Sequence, residues 1–158
     1  MRIRQAKIED SKSIALLCRN TIKYVNSKDY TKSQIDAWLT KNTTKHMRDS
    51  FLRVNRSKFV MLEDYKIIGV VSAKLDKKEI SGLYINRKYI GRKIGKQLLQ
   101  KMEDDMLSKK ISIIKLHSTI TAFNFYKSQG YIKIRDESHI INGVSIPTIL
   151  TKKNLAKK

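Results

Sequence analysis

The stretch Leu83 to Met106, LYINRKYIGRKIGKQLLQKMEDDM, takes an apolar strand into a short basic loop and then directly into an amphipathic helix. The first amides of a helix have no acceptor within it and lie at the positive end of its dipole, so they attract anions. Gly91 and Gly95 let a ligand approach that backbone closely, and Arg87, Lys88, Arg92, Lys93 and Lys96 gather cations around it. A ligand with several phosphates suits such a loop. The same residues also read as a turn glycine, a glycine that lets the helix pack on a sheet, and a solvated lysine face.

The flanking residues bear on that choice. The string IxRxYIGRKIGxxLL, Ile85 to Leu99, resembles the pyrophosphate-binding motif of the GNAT superfamily of acetyl-CoA-dependent N-acetyltransferases, VxPxYRGxGIGxxLL. Gly91 and Gly95 match, whereas Ile90 stands where Gln or Arg is usual and Lys93 where the first Gly is usual. The resemblance implies that Ile90, Gly91, Arg92, Lys93, Ile94, Gly95 and Lys96 hold the diphosphate of coenzyme A. Ile90 then acts through its backbone amide, and the Lys93 side chain turns outward or reaches the phosphates itself.

A second string, STITAFNFYKSQGY, resembles the segment (N/S)xxAxxFYxxxGF of the same superfamily, with Thr119, Ala122, Phe125, Tyr126, Gly130 and Tyr131 at its marked positions. The resemblance places Thr119 against the pantetheine arm, Phe123 among the cofactor contacts and the Tyr126 hydroxyl near the thioester sulfur. A phenol of pKa about 10 held in contact can protonate a departing thiolate of pKa about 8.5. Read on its own, Tyr126 is a core aromatic whose hydroxyl reaches solvent. With the resemblance it becomes the general acid.

Glu79 opens the strand EISGLYI that runs into the basic loop. In several GNAT enzymes a glutamate at this strand position takes the amine proton, directly or through water; the alternative is a strand-start residue facing solvent beside Lys77 and Lys78. Gly82 inside this apolar strand marks a bulge or a close backbone approach. By resemblance the strand splays from its neighbour there, and the backbone at Leu83, Tyr84 and Ile85 binds pantetheine and stabilises the oxyanion. No metal or covalent intermediate is implied. His46, His117 and His139 lack metal-ligand spacing, and only His117, at the end of a central strand, is expected to see the cleft.

These residues need a scaffold. Arg2 to Ala6 reads as a strand, and Asp10 or Ser11 opens a helix with Ile14, Leu17, Cys18, Ile22 and Val25 at helical spacing. Thr31 with Gln34 forms a capping box for a helix carrying Ile35, Trp38 and Leu39, and a short helix follows over Thr44 to Val54. The string DYxxxQIxAW within this region resembles the YafP-like branch of the superfamily, with Trp38 either a pocket wall or a packing residue. Phe59 to Leu62, Ile67 to Leu75 and Glu79 to Ile85 read as three antiparallel strands. The helix after Lys93 buries Ile94, Leu98, Leu99, Met102 and Met106; ISIIKLH is a short buried strand.

A helix over Thr121 to Ser128 stops at Gly130, and two strands, Tyr131 to Arg135 and Val144 to Leu150, close the chain. Asn142 and Gly143 suit a tight hairpin, and Ser138 to Ile141 extends either side. Counting the region after Thr31 as one helical unit, the order is β-α-α-β-β-β-α-β-α-β-β, an α/β mixed sheet matching the GNAT order with its splayed centre. The expectation is a single domain over residues 1–158, frayed at the basic tail 152–158.

With 158 residues the chain can bury roughly 70% of its unfolded surface. Cys18 is the only cysteine, which excludes an internal disulfide and a cysteine-cluster metal site and fits a reducing cytoplasm. No signal-like or membrane-length apolar run is present. The formal net charge of +20 predicts attraction to polyanions, nucleic acid included, although the basic residues are spread along the chain rather than gathered in one stripe. The expected acceptor is a primary amine on a small molecule, a peptide or aminoacyl-tRNA, with polyamines disfavoured by charge. The alternative is a scaffold that binds nucleic acid and turns over little acetyl-CoA. A homodimer fits either reading.

Overall fold

The computed structural model describes residues 1–156. Four strands, β1 (Arg2–Gln5), β2 (Arg56–Glu63), β3 (Lys66–Lys74) and β4 (Glu79–Ile85), lie side by side and antiparallel. β5 (Ile113–Ser118) joins β4 in parallel, and the hairpin of β6 (Ile132–Ile141) and β7 (Val144–Asn154) places β7 beside β5, giving the order β1-β2-β3-β4-β5-β7-β6. This is the expected mixed α/β sheet.

Helices cover both faces. α4 (Ile94–Ser108) buries Leu98, Met102 and Met106 against Phe59, Met61, Val71 and Ala73, and α1 (Ser11–Tyr24) buries Ile14, Leu17 and Cys18 against Val60, Leu62 and Val70 on the other face. β2 is buried on both sides, which is why its run FVML is continuously apolar. Burial pushes the Cys18 thiol up to about 12, as suits a packing residue.

The helical region counted as one unit consists of α2 (Lys32–Leu39) and α3 (Thr44–Phe51). The Thr31 capping box is formed in both directions, with Gln34 N donating to Thr31 Oγ1 (3.2 Å) and Thr31 N to Gln34 Oε1 (2.9 Å). Thr43 caps α3 by accepting from His46 N, so a second start signal separates the two helices. α5 (Phe123–Ser128) begins two residues later than expected, because Thr119 Oγ1 accepts from Ala122 N (3.0 Å) and holds a turn ahead of it.

The tail expected to fray from residue 152 is strand as far as Asn154, with Lys152 and Lys153 paired to Lys115 and Ile114. The physical reason is Lys153, whose Nζ lies 3.0 and 2.8 Å from the two carboxylate oxygens of Glu103, a residue only 4% exposed on α4. Tyr131 also donates to that carboxylate at 2.8 Å. Residues 157 and 158 lie outside the described residues. Asn142 (φ 50°) and Gly143 (φ 76°) make the tight turn, and Ser138 to Ile141 belongs to β6.

The sheet opens at its centre. β4 and β5 pair only at Glu79 with Lys115 and Ile80 with Leu116. From Ser81 onward that edge of β4 has no strand partner, and Ser81 is itself the extra residue of a bulge, since Ser72 faces Gly82 and Ala73 faces Ile80.

Candidate active site

The opening between β4 and β5 is the floor of a cleft of about 630 Å³. One end is the start of α4. Gly91 (φ 87°) and Lys93 (φ 60°, ψ 10°) both adopt left-handed backbone, which turns successive amides toward one side. Among the described residues, the amides of Gly91, Lys93, Ile94, Gly95 and Lys96 meet no backbone acceptor, while Arg92 N bonds to Tyr89 O (3.2 Å). No side chain caps this helix. Lys93 takes the left-handed turn that a glycine makes without penalty, and its side chain is exposed. A Cβ on Gly95 would meet the Phe125 ring at 3.4 Å, so this glycine lets α5 approach α4.

The middle of the cleft is the free edge of β4. Leu83, Tyr84 and Ile85 all line it, and the Tyr84 ring lies over Gly82, where a Cβ would meet it at 3.0 Å. Opposite stand Thr119, Ala122, Phe125 and Tyr126. Tyr126 is buried between Phe125 and Tyr131, with ring centroids 5.2 and 5.6 Å away. Desolvation alone raises its phenol, keeping it protonated at neutral pH and a donor rather than a nucleophile.

Beyond Tyr126 the wall becomes polar. Glu79 Oε1 lies 3.7 Å from Lys74 Nζ and 4.0 Å from His117 Nδ1. His117 Nε2 bonds to Glu137 Oε2 at 2.8 Å, and Arg135 holds the other Glu137 oxygen at 2.6 Å. Desolvation pushes the Glu137 carboxyl up, but the hydrogen bonds from His117 and Arg135 outweigh it and leave it below its ordinary value. His139 also lines the cleft, its ring 4.7 Å from that of His117. The expectation that His117 alone reaches the cleft is therefore corrected. β7 lies between β5 and β6, so residues 22 positions apart come to one face.

Ten of the twelve expected cofactor residues, together with Glu79 and Tyr126, line this one cleft. Arg92 and Phe123 do not. The Arg92 guanidinium stacks over the Tyr89 ring at 5.0 Å, and Phe123 is turned about 100° around α5 from Ala122, away from the stripe Ala122, Phe125, Tyr126 and Gln129 that faces inward. The roof was missed beyond Trp38. Tyr30 accepts from Ile120 N (2.9 Å), donates to Pro147 O (2.8 Å) and stacks edge-on with Trp38 (5.6 Å). These contacts join segments 90 and 117 residues apart, which no local pattern signals.

A family model for the acetyltransferase (GNAT) domain matches residues 26–147. This chain belongs to the GNAT acetyltransferase family. It is accordingly an acetyl-CoA-dependent N-acetyltransferase. Spermidine N(1)-acetyltransferase of Thermoplasma acidophilum is 27% identical over 144 residues, covering 85% of this chain and 89% of that one. The crystal structure of a GCN5-related N-acetyltransferase from Rhodopseudomonas palustris superimposes with a TM-score of 0.90 at 21% identity, over 98% of this chain and 95% of that one. PaiA N-acetyltransferase of Thermoplasma acidophilum, solved in complex with coenzyme A, gives a TM-score of 0.79 at 23% identity, over 97% of this acetyltransferase and 98% of that chain.

Proposed function

We propose that this GNAT enzyme transfers acetyl from acetyl-CoA to the primary amine of a small cationic acceptor by direct attack in a ternary complex. The observation that carries this reading is the continuity of one cleft, from the unpaired amides of α4, along the free edge of β4, to Tyr126 and Glu79. The amides of Gly91 and of Lys93 to Lys96 suit a diphosphate, with the exposed Lys93 and Lys96 adding charge. The edge of β4 from Ser81 to Ile85 offers backbone groups to an amide-bearing arm, as a missing strand would, and donors to a developing oxyanion.

Acetyl-CoA supplies an activated thioester. Glu79 takes the amine proton, with the Lys74 ammonium 3.7 Å from its carboxylate. Tyr126 donates to the sulfur as negative charge develops there. Thr119 already accepts from Ala122 N, so its hydroxyl proton is left to point into the cleft.

Two observations favour a cationic acceptor of the polyamine class: the spermidine-acetylating relative, and the Glu79 carboxylate on the acceptor wall. The net charge of +20 is a weaker argument against it than composition suggests. Surface charges are screened within about 8–10 Å, whereas a substrate in the cleft meets the Glu79 carboxylate directly. Placement in the YafP-like branch rests on the DYxxxQIxAW string alone.

The test is an acetylation screen of spermidine, lysine peptides and aminoacyl-tRNA with acetyl-CoA. Turnover of spermidine that drops about 10²-fold or more in Tyr126→Phe and Glu79→Gln supports the reading. Full activity in Tyr126→Phe at every pH removes the assigned acid, and turnover of aminoacyl-tRNA alone removes the assigned acceptor.

A further inference from the structure

We propose that His117, Glu137 and His139 form a binding site for a divalent transition metal of the zinc type on the acceptor wall of the cleft. Their ligating atoms all lie within 4.8 Å of one another. The sheet register puts them on one face: His117 is opposite Leu150, Leu150 opposite Arg135, Glu137 opposite Thr148 and His139 opposite Ile146. Directly paired residues of neighbouring strands point to the same side, so all three project toward the same space.

The surroundings are those of a ligand set. A metal-bound imidazole needs its other ring nitrogen turned to a carboxylate or carbonyl, and a ligating carboxylate needs its second oxygen held. His117 Nδ1 faces Glu79 Oε1 at 4.0 Å, and Arg135 holds Glu137 Oε1 at 2.6 Å while leaving Oε2 directed at His117 Nε2. The 2.8 Å contact between Nε2 and Oε2 marks where a shared ion would sit, since zinc bonds of about 2.0–2.1 Å need only a slight widening of this pair. His139 is exposed, so its ring is free to swing inward and complete a third bond.

A second observation points to an occupant. Among the described residues, the buried side-chain polar atoms without a hydrogen-bond partner are His117 Nδ1, on one of the ligand rings, and Thr148 Oγ1, on the residue opposite Glu137. Thr148 is 8% exposed, lines the cleft and pairs directly with Glu137 across the strands. A metal with a bound water offers Thr148 Oγ1 a partner.

Two imidazoles and one carboxylate, with no thiolate, favour zinc, cobalt or nickel, whereas calcium and magnesium prefer all-oxygen sites. Lys74 and Arg135 stand nearby, so micromolar affinity is expected rather than the tight binding of a structural zinc. A metal here occupies the acceptor wall beside Glu79 and competes with a cationic amine. That consequence rests on the function proposed above; the site itself does not.

The test uses the chelator-treated full chain without acetyl-CoA or amine, titrated with zinc chloride by calorimetry and with magnesium chloride as control. One zinc per chain is expected, weakened about tenfold or more in His139→Ala and in Glu137→Gln and unchanged in His46→Ala, whose exposed histidine lies elsewhere. Cobalt chloride gives an independent readout, an intense visible band from a four-coordinate ion that His139→Ala abolishes. Circular dichroism confirms that each variant is folded. No zinc binding, equal binding in His139→Ala, or loss in His46→Ala would overturn the site, whatever the acetylation screen shows.

Discussion

Lys93 carries a β-carbon in a left-handed conformation that costs such a residue about 1–2 kcal/mol, part of which a glycine recovers in the folded state and forfeits in the unfolded one. Lys93→Gly is therefore expected to raise stability by about 0.5–1 kcal/mol, read as a small rise in Tm, while weakening acetyl-CoA through loss of a cation. A calorimetric titration beside the melt separates the two effects, and a fall in both would show that the lysine side chain holds the loop. The substitution itself was visible in the sequence as a departure from the motif. That the backbone keeps the glycine conformation despite it was not, because side-chain identity constrains φ only weakly once flanking contacts set the turn. The Arg92 guanidinium stacks over the Tyr89 ring, a contact its place in the motif does not signal.

At the scale of elements, the sequence disclosed what is periodic or capped. The Thr31 box, the Asn142 and Gly143 turn and the apolar stripe of α4 each follow from neighbours within a few residues. The end of β7 did not disclose itself, since Lys152 and Lys153 look like solvent-facing lysines until Glu103 is placed beneath one of them. Removing one member of a buried ion pair strands the other, so Lys153→Met is expected to cost about 3 kcal/mol in urea unfolding. Pairing it with Glu103→Gln should recover much of that loss, and a double variant no better than the single would mean that the lysine matters for packing alone.

Over the whole molecule, the order of helices and strands was legible and the site only half so. The proposed phosphate end is a contiguous motif, but the proposed acceptor end is assembled from β4, β5 and β6, with β7 inserted between the last two out of chain order. That insertion brings His117 to His139. Charge pairing between Arg4 and Asp10, six residues apart, also ties stability to pH. Arg4 donates to both oxygens of Asp10 (2.7 and 2.9 Å), and these hydrogen bonds hold the Asp10 carboxyl below its ordinary 3.8. A depressed folded value means the stabilisation is complete above pH 3.8 and drains away as pH falls below it toward the folded value. Asp10→Asn is thus expected to be less stable than the parent at neutral pH, by about 1 kcal/mol, with the gap closing in acid. A gap that persists unchanged in acid would assign the loss to something other than charge. Cys18, fully buried and with its thiol raised, should resist alkylation until the chain unfolds.

The pairing of Glu103 with Lys153 has a further consequence in time. The two residues are 50 apart, and a ribosome adding about 5–20 residues per second leaves the carboxylate without its cation for about 3–10 s. Until then α4 has reason to keep that face wet, so its final seating on the sheet waits for β7, and nascent chains halted short of Lys153 should remain open to protease along the helix.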